Sequence, residues 1–530
     1  MFRWTSETVL NLVDRLAHSY YTRKYGALTR SLGRRSMQSD RRRGFIIVQI
    51  DGLSYEHLMM AVDAGHLPYV SRLLVTDRVA VAPWQCGIPS TTPAVQAGIM
   101  FGDRFDIPGF RWYEKESRRN ISAHFPNHVR EMRERISARN PGILQGGSSY
   151  VNMFDGDADL ALFTMSVLHS QRFFESVRGL SLLVVFLLSP FRVFRVIMSA
   201  LVRYGLTMAR RLVSLLQPRV FNALDVVTPL IQAVGDAVFV EVQTFGVMID
   251  IYRCVRSIYA NYTGYDEAAH RLGPACPAAL SILRDIDRRI HQIDRMRRLY
   301  RRRRYDLYIL SDHGNSPSVP FRWGAGRTLE QHLHETIGLG AADGRAAGTD
   351  VREIETESPI AVDSRSLHDM RYLIGELSAL GKSRSRYLRR GLSKLMQSVN
   401  RRTRSRVDVS PDFVRRNGVV VRASGSLAHV YFPAVEAPLD LPEVEHLHPH
   451  LVDALLDTPG IGAVLGRVGG RTLILGADGG RILIGAGGSS VDGRHPLSVL
   501  SEPDDMARQL HRLAQFPHSG DLIVLGAIAS

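Results

Sequence analysis

The sequence is poor in cysteine and in uninterrupted apolar runs. Its only cysteines are Cys86, Cys254 and Cys276, and no Cys-x-x-Cys pair occurs. Three scattered thiols exclude a disulfide framework and a cysteine-based structural zinc site, and they favour a reducing compartment. The most apolar region is free of charge only over residues 179–191, which include Pro190. This stretch is shorter than the roughly 20 residues that span a bilayer.

Lysine is also scarce, so that the positive charge is carried mainly by arginine. The chain has four lysines among 67 basic residues, and its formal net charge is +15. The arginines are spread over the whole chain, without an aromatic-interleaved platform or a groove-reading helix. We therefore expect no nucleic-acid partner. The excess of positive charge favours anionic surfaces or substrates in a general way.

The N-terminal residues 1–26 lack the apolar core and the small-residue cleavage site of a secretory signal. We therefore expect a cytoplasmic protein. Within residues 176–215, arginines interrupt the apolar residues at helical spacings. A basic helix of this kind lies in a membrane interface or packs against protein, and both alternatives stay open. Peripheral association with the inner face of a membrane, through an anionic surface, is the corresponding expectation.

Two apolar runs stop on acidic residues. The run "FIIVQIDG" ends on Asp51, and "YDLYILSDHGN" places Asp312 and His313 just beyond Leu310. Continuous apolar runs of this length predict buried strands. Open α/β sheets bind their ligands at the carboxyl ends of such strands. The pattern predicts that these acidic side chains lie at one edge of a sheet, although Asp is also a common turn residue.

The stretch "PSTTPAVQAGIMFG" predicts a helix with hydroxyls at its start. Pro93 fits the first turn of a helix that runs to about Met100, which puts Thr92 at the N-cap. Free backbone N–H groups and the helix dipole favour a phosphate there. A Ser/Thr-Pro pair that opens a helix is also very often only a cap.

The segment "GYDEAAHRLGP" sets Asp266 and His270 four residues apart, so that one helical turn brings both to the same side. An exposed helix turn with two polar residues is the alternative. Carboxylates and imidazoles without thiolates suit divalent ions such as zinc or manganese. Two such ions stabilise the entering and leaving oxygens of an in-line displacement at phosphorus.

In this order, the motifs "VQIDG", "PSTTPAVQAGIMFG", "YDEAAHRLGP" and "LSDHGN" resemble those of the alkaline phosphatase superfamily, and within it the type I phosphodiesterase and nucleotide pyrophosphatase branch. The resemblance covers residues 45–110 and 255–320. It implies an α/β fold with a mostly parallel sheet sandwiched by helices, a helical insertion and a Gly-rich, β-containing C-terminal part. It also implies a metal-dependent hydrolase of phosphate esters, a phosphodiesterase or phosphatase, that acts through a phosphothreonine intermediate.

The resemblance also implies a two-metal site, with zinc expected and manganese as the alternative. One ion would be held by Asp51, Asp312, His313 and the nucleophile Thr92, and the other by Asp266 and His270. Thr92 is the fourth residue of the family's Pro-(Ser/Thr)-x-Thr pattern. Thr91 is the alternative, because it preserves the Thr-x-Pro spacing of many relatives.

One departure from the family's pattern concerns the last histidine of the second metal site. The candidates are His429, His495 and His518, or a residue outside this sequence. Without that ligand the second ion binds weakly, and the alternative function is a catalytically degenerate, membrane-associated binding protein. Sulfatase chemistry is disfavoured, because Cys86 is one residue too far from Pro89 and the arginine of the sulfatase motif is missing.

Composition and motifs divide the chain into six segments. These are a basic amphipathic N-terminal arm (1–44), a first core part (45–150), an apolar Arg-rich helical insertion (151–250), a second core part (251–330), a variable region with a basic linker (331–414) and a C-terminal part of the core (415–530). Arg111 and Trp112 either line the substrate site or form a surface turn. The expected substrate is a small phosphate ester or a lipid-linked one.

Overall fold

The computed structural model describes residues 42–168, 227–338 and 418–528, with Phe194, Met198, Leu201 and Gly205 as isolated helical positions. Residues 1–41 of the predicted arm, most of the apolar segment 176–215 and the basic linker lie outside the described residues. Among the described helices, none has the length and hydropathy needed to cross a membrane.

The described part of the chain forms a parallel sheet, an antiparallel sheet and a short hairpin, with helices around them. The strands are β1 (Gly44–Ile50), β2 (Arg111–Glu114), β3 (Arg119–Ser122), β4 (Ser148–Tyr150), β5 (Leu160–Leu162), β6 (Ser257–Tyr262), β7 (Tyr305–Leu310), β8 (Val420–Ser424), β9 (Leu427–Tyr431), β10 (Ile461–Val468), β11 (Arg471–Gly476), β12 (Arg481–Gly485), β13 (Gly488–Asp492) and β14 (Leu522–Gly526). The α-helices are α1 (Tyr55–Asp63), α2 (Pro68–Val75), α3 (Thr92–Phe101), α4 (Pro126–Ser137), α5 (Val227–Tyr252), α6 (Gly264–Leu272), α7 (Pro277–Leu299), α8 (Phe321–Ala325), α9 (Leu329–Thr336), α10 (Leu441–Leu447), α11 (Leu451–Leu456) and α12 (Pro503–Ala514).

The first sheet has five parallel strands in the order β5-β4-β6-β1-β7. Side chains of β1 alternate between two apolar clusters: Ile46, Val48 and Ile50 belong to one, and Ile47 to the other. The sequences of parallel strands that are buried on both faces are continuous apolar runs. The predicted parallel sheet with helices on both faces is therefore confirmed for this part of the chain.

Helices α1, α2, α5 and α7 contribute to the cluster on one face of the sheet, and α3 and α4 to the cluster on the other. The long helix α7 buries Leu283, Ile286, Ile290 and Ile293, at the three- and four-residue spacing of an apolar stripe. Its Asp287 accepts hydrogen bonds from the first backbone amides of α2. A buried carboxylate thus satisfies amides that the start of a helix leaves free.

The C-terminal residues form a separate antiparallel sheet of seven strands, in the order β13-β12-β11-β10-β14-β9-β8. Gly469 and Gly470 turn the chain between β10 and β11 with φ angles of +54° and +74°, a region that other residues seldom adopt. The predicted Gly-rich, β-containing C-terminal part is this sheet. It joins the first part of the chain through a buried ion pair, in which Lys115 Nζ lies 3.1 Å from Asp521 Oδ2.

The core extends further along the chain than the predicted boundary at residue 151. Leu160–Leu162 pairs with β4 as the edge strand of the parallel sheet, although the sequence places it in the helical insertion. Three-residue strands carry too little periodicity to be recognised in a sequence.

Candidate metal centre

Three adjacent parallel strands deliver the chemically interesting side chains to one edge of the sheet. In the sheet register Ile50 of β1 lies opposite Tyr262 of β6, and Gln49 lies opposite Leu310 of β7. Asp51 follows β1 directly, and Asp312 follows β7 by two residues. Both carboxylates are fully buried. This edge is the ligand-binding edge of open α/β sheets.

Asp51, Asp312 and His313 form a cluster that could hold a metal ion, since each offers a ligand atom and these atoms lie within 4.8 Å of one another. His313 Nε2 lies 3.7 Å from Asp51 Oδ1 and 3.6 Å from Asp312 Oδ2. Two carboxylates and an imidazole without a thiolate suit zinc or manganese.

The donor atoms of this cluster are oriented for a cation. His313 Nδ1 lies 3.0 Å from the carbonyl oxygen of Gly314 and donates to it, which leaves Nε2, on the side of the two carboxylates, as the ring nitrogen that could bind a metal ion. Asp312 Oδ2 is buried and has no hydrogen-bond partner among the residues that the structure describes. A buried carboxylate oxygen without a donor is costly unless a cation neutralises it. The residues therefore fit a divalent ion.

Thr92 adds a hydroxyl to the cluster. Its Oγ1 lies 3.4 Å from Asp51 Oδ1 and 3.1 Å from His313 Nε2, and the residue is 6% exposed. The predicted N-cap position was wrong by one residue, because Thr91 is the extended cap and Thr92 begins α3. The shift leaves Pro93 in the first turn, where its missing N–H costs no hydrogen bond. Thr91 Oγ1 is buried without a hydrogen-bond partner in the described part of the chain.

Asp266 and His270 lie on α6, one turn apart as predicted, with His270 Nε2 3.4 Å from Asp266 Oδ1. Asn315 links this pair to the first cluster, because its Nδ2 donates to Asp266 Oδ1 at 2.9 Å and to the Gly52 carbonyl at 3.1 Å. Gly52 has φ +70°, and a Cβ there would lie 2.3 Å from Asp266 Oδ1. Glycine after Asp51 is thus what lets Asp266 approach the strand end.

The carboxylates and imidazoles of the site interact strongly. Burial opposes the charged form of His313, but Asp312, Asp51 and Asp266 outweigh it and raise its pKa to about 9. Burial likewise opposes ionisation of Asp266, but the hydrogen bond and charge of His270, with His313, lower its pKa to about 2. The hydrogen bond to Asp266 raises the pKa of His270. The edge of the sheet is therefore an acidic site that attracts positive charge.

Sequence reasoning missed the amide side chains that orient the acidic ones. Asn261, fully buried on β6, donates from Nδ2 to Asp51 Oδ2 at 2.8 Å. Gln96, one turn after Thr92 on α3, donates to Gln49 Oε1 at 3.0 Å and so fixes the helix against β1. Asn315 was visible as the last letter of "LSDHGN". Asn261 and Gln96 carry no local signal, because their partners lie far away in the sequence.

The three candidates for the last histidine of the second site all contact residues other than Asp266 and His270. Both ring nitrogens of His429 are used: Nε2 donates to Pro108 O at 2.9 Å, and Nδ1 accepts from Gly520 N at 3.0 Å. His518 Nδ1 lies 2.6 Å from Asp106 Oδ2. The ring of His495 accepts from Leu497 N through Nδ1 at 3.1 Å and faces Asp504 through Nε2 at 3.5 Å.

The buried ring of His429 predicts a loss of stability in acid. Burial lowers its pKa from 6.5 to about 4. Between these values the unfolded chain binds a proton that the folded chain does not, so the contribution is present above pH 6.5 and is lost as pH falls towards 4. We expect this group to lower the free energy of unfolding by about 2 kcal/mol between pH 7 and pH 5.

Urea unfolding at the two pH values tests this expectation. The variant His429→Gln should be less stable at pH 7 but should lose less stability on going to pH 5 than the wild type. Equal losses in both proteins would assign the acid sensitivity to other groups.

The sequence predicts that Arg111 and Trp112 either line the substrate site or form a surface turn. Neither prediction holds for Trp112. Trp112 is fully buried in a core cluster and its Nε1 donates to Glu114 Oε1 at 3.4 Å, so it lies neither in a surface turn nor in an open substrate site. Arg111 is half-buried at the start of β2. The tryptophan beside the metal cluster is Trp84, 52% exposed, whose Nε1 donates to the carbonyl of Ser311 at 3.2 Å.

No family model matches the chain, and no curated protein matches it. Among solved structures, it is similar to phosphonoacetate hydrolase from Sinorhizobium meliloti 1021 in complex with phosphonoacetate, at 14% identity and a TM-score of 0.39, over 92% of this chain and 81% of that one. A likeness with so low a TM-score identifies neither the family nor the activity of this chain. What is established is an α/β protein with an Asp-Asp-His cluster at the ligand edge of its parallel sheet.

Proposed function

We propose that the chain is a metal-dependent hydrolase of phosphate esters, a phosphodiesterase or phosphatase, with Thr92 as the nucleophile. The observation that carries this proposal is the position of Thr92 Oγ1, 3.4 Å from Asp51 Oδ1 and 3.1 Å from His313 Nε2. This hydroxyl lies in the first turn of a helix and next to a carboxylate and an imidazole of the kinds that hold metal ions. A hydroxyl in this position is placed to attack a bound anion.

In the proposed reaction, Thr92 Oγ1 forms a bond to phosphorus and the ester P–O bond breaks. The Thr92 proton leaves with the alcohol product, so that a phosphothreonine remains. A water molecule then cleaves the phosphothreonine, returning a hydrogen to Thr92 Oγ1 and giving its OH to the phosphate. Gln96, one turn further along α3, would hold the helix that carries Thr92 against Gln49 of β1.

Asp51, Asp312 and His313 would hold one ion, zinc or manganese, and Asp266 with His270 would hold a second. When bound, such ions stabilise the negative charge that develops on the oxygens around phosphorus. Asn261 and Asn315 hold the Asp51 and Asp266 carboxylates by single hydrogen bonds. Outer partners of this kind fix the direction in which a ligand faces.

The substrate would be a phosphate ester, either small or lipid-linked. Trp84 offers an exposed indole face directly beside Ser311, one residue before Asp312. Because aromatic faces stack on flat groups, this placement supports an ester that carries an aromatic or heterocyclic leaving group.

The alternative is a catalytically degenerate binding protein. It is favoured by the second half-site, which consists of Asp266 and His270. Within the described residues, the group with three possible metal ligands is the Asp51 cluster, and it does not include this pair. A protein of this kind would bind a phosphate compound without turning it over.

Turnover of a chromogenic phosphodiester and of the matching monoester separates the two proposals. We expect hydrolysis that disappears after chelation and returns with zinc or manganese. Binding of the ester without hydrolysis, under every metal condition, would support the degenerate protein. Hydrolysis that a chelator leaves unchanged would rule out the metal-dependent mechanism.

A further inference from the structure

The end of the parallel sheet opposite the metal cluster is strongly basic. The three central strands β1, β6 and β7 run in the same direction, so their starting points share one edge. Exposed arginines precede each of them. This basic strand-entry surface consists of Arg42, Arg43, Arg253, Arg256, Arg301, Arg302 and Arg304.

Backbone and side-chain contacts join the three segments into one surface. Gly44 N donates to Arg304 O at 2.9 Å, and Phe45 N donates to Arg256 O at 3.0 Å. The buried Arg303 donates to Arg42 O and to Cys254 O, both at 2.9 Å. One buried arginine therefore fixes the loops that present the exposed ones.

Among the described residues, acidic side chains near this surface are few. Asp306 pairs with Arg43 at 3.3 Å. Arg256, Arg302 and Arg304 form no ion pair with another residue of the described ranges. Seven guanidinium groups held at one end of a rigid sheet create a positive potential that attracts an anionic partner.

Apolar and aromatic side chains lie among these arginines. Leu299, at the end of α7, is 56% exposed. The next residue, Tyr300, packs edge-on against Tyr252 with the ring centroids 5.4 Å apart. An exposed leucine and partly exposed tyrosines among arginines are typical of surfaces that rest in the headgroup region of a membrane.

We infer that the basic strand-entry surface binds the face of a bilayer that contains acidic phospholipids. The arginines contact lipid phosphates, and Leu299 enters the boundary between headgroups and acyl chains. The seven residues of β1 separate this surface from Asp51 by roughly 20 Å. A chain bound in this way presents the metal cluster to solution, and this inference does not depend on the proposed activity.

Sedimentation of the full-length protein with lipid vesicles tests the inference. Vesicles of phosphatidylcholine with phosphatidylglycerol are compared with vesicles of phosphatidylcholine alone. The test variant is Arg256→Gln/Arg302→Gln/Arg304→Gln. The matched control, Arg471→Gln/Arg508→Gln/Arg512→Gln, removes the same charge from exposed positions in the C-terminal part. A third variant replaces the first three arginines by lysine and keeps their charge.

We expect the wild type, the control and the lysine variant to sediment with the acidic vesicles. The glutamine variant of the surface should partition less well by on the order of 100-fold, since each arginine near an acidic membrane contributes a factor of roughly five. Circular dichroism and the melting temperature show whether each variant is folded. If the glutamine variant is unfolded, vesicle binding of the lysine variant and of the wild type in added salt tests the inference instead. Salt should release the bound wild type.

Three results would overturn the inference. One is a wild type that ignores acidic vesicles, and another is an equal loss of binding in both glutamine variants. The third is that duplex DNA binds through Arg256, Arg302 and Arg304 while binding to vesicles does not require these residues. This result would make nucleic acid the partner.

Discussion

Replacing Thr92 by alanine is expected to lower the turnover of a chromogenic phosphodiester by at least on the order of 1,000-fold. The substitution removes the hydroxyl that lies within hydrogen-bonding distance of Asp51 and His313. It leaves the helix intact, because Thr91 and not Thr92 caps α3. The melting temperature should therefore change little while the steady-state rate is lost.

The neighbouring hydroxyl provides the matched control. Thr91→Ala removes an oxygen that has no hydrogen-bond partner within residues 42–168, 227–338 and 418–528, so we expect turnover close to that of the wild type. Thr92→Ser keeps a hydroxyl on the same backbone position and should retain part of the rate. Loss of activity in Thr91→Ala with undiminished activity in Thr92→Ala would move the nucleophile to Thr91.

Replacing Asp312 by asparagine is expected to abolish the stabilisation of the protein by metal ions. A ligand that binds only the folded chain stabilises it by about 2.7 kcal/mol when its concentration is 100 times its Kd. Asp312 is fully buried beside Asp51 and His313, and its charge is among those that raise the pKa of His313. We expect the melting temperature of Asp312→Asn to be the same in chelator and with added zinc or manganese, whereas that of the wild type should rise with metal.

Differential scanning fluorimetry of both proteins, with chelator and with added metal, measures this effect. Asp453→Asn is a suitable control, because the side chain of Asp453 is 81% exposed. It should respond to metal as the wild type does. If Asp312→Asn still gains the full stabilisation from metal, the ion binds elsewhere.

The sequence predicted the parts of the fold in which local pattern and final structure agree. The apolar runs before Asp51 and Asp312 are strands β1 and β7, because strands buried on both faces are uniformly apolar. The spacing of Asp266 and His270 is one turn of α6. In contrast, β4 and β5 have three residues each, and their pairing depends on contacts distant in the sequence.

The candidate site was predictable to a similar degree. Motif order brought Asp51, Thr92, Asp312 and His313 into one hypothesis, and the structure brings these four side chains together. Their roles as ligands and nucleophile remain predictions. The buried position of Trp112 could not be read from "GFRWYEKES", since it depends on packing against distant segments. The same holds for the hydrogen bonds that engage His429.

The metal content of the purified full-length protein tests the central proposal most directly. After dialysis against metal-free buffer, elemental analysis of the wild type should find at least one zinc or manganese ion per chain, and Asp312→Asn should hold fewer. A second ion would show that Asp266 and His270 suffice for the other half-site. A wild type that retains no ion, binds none when titrated and hydrolyses no phosphate ester would contradict the proposed metal centre.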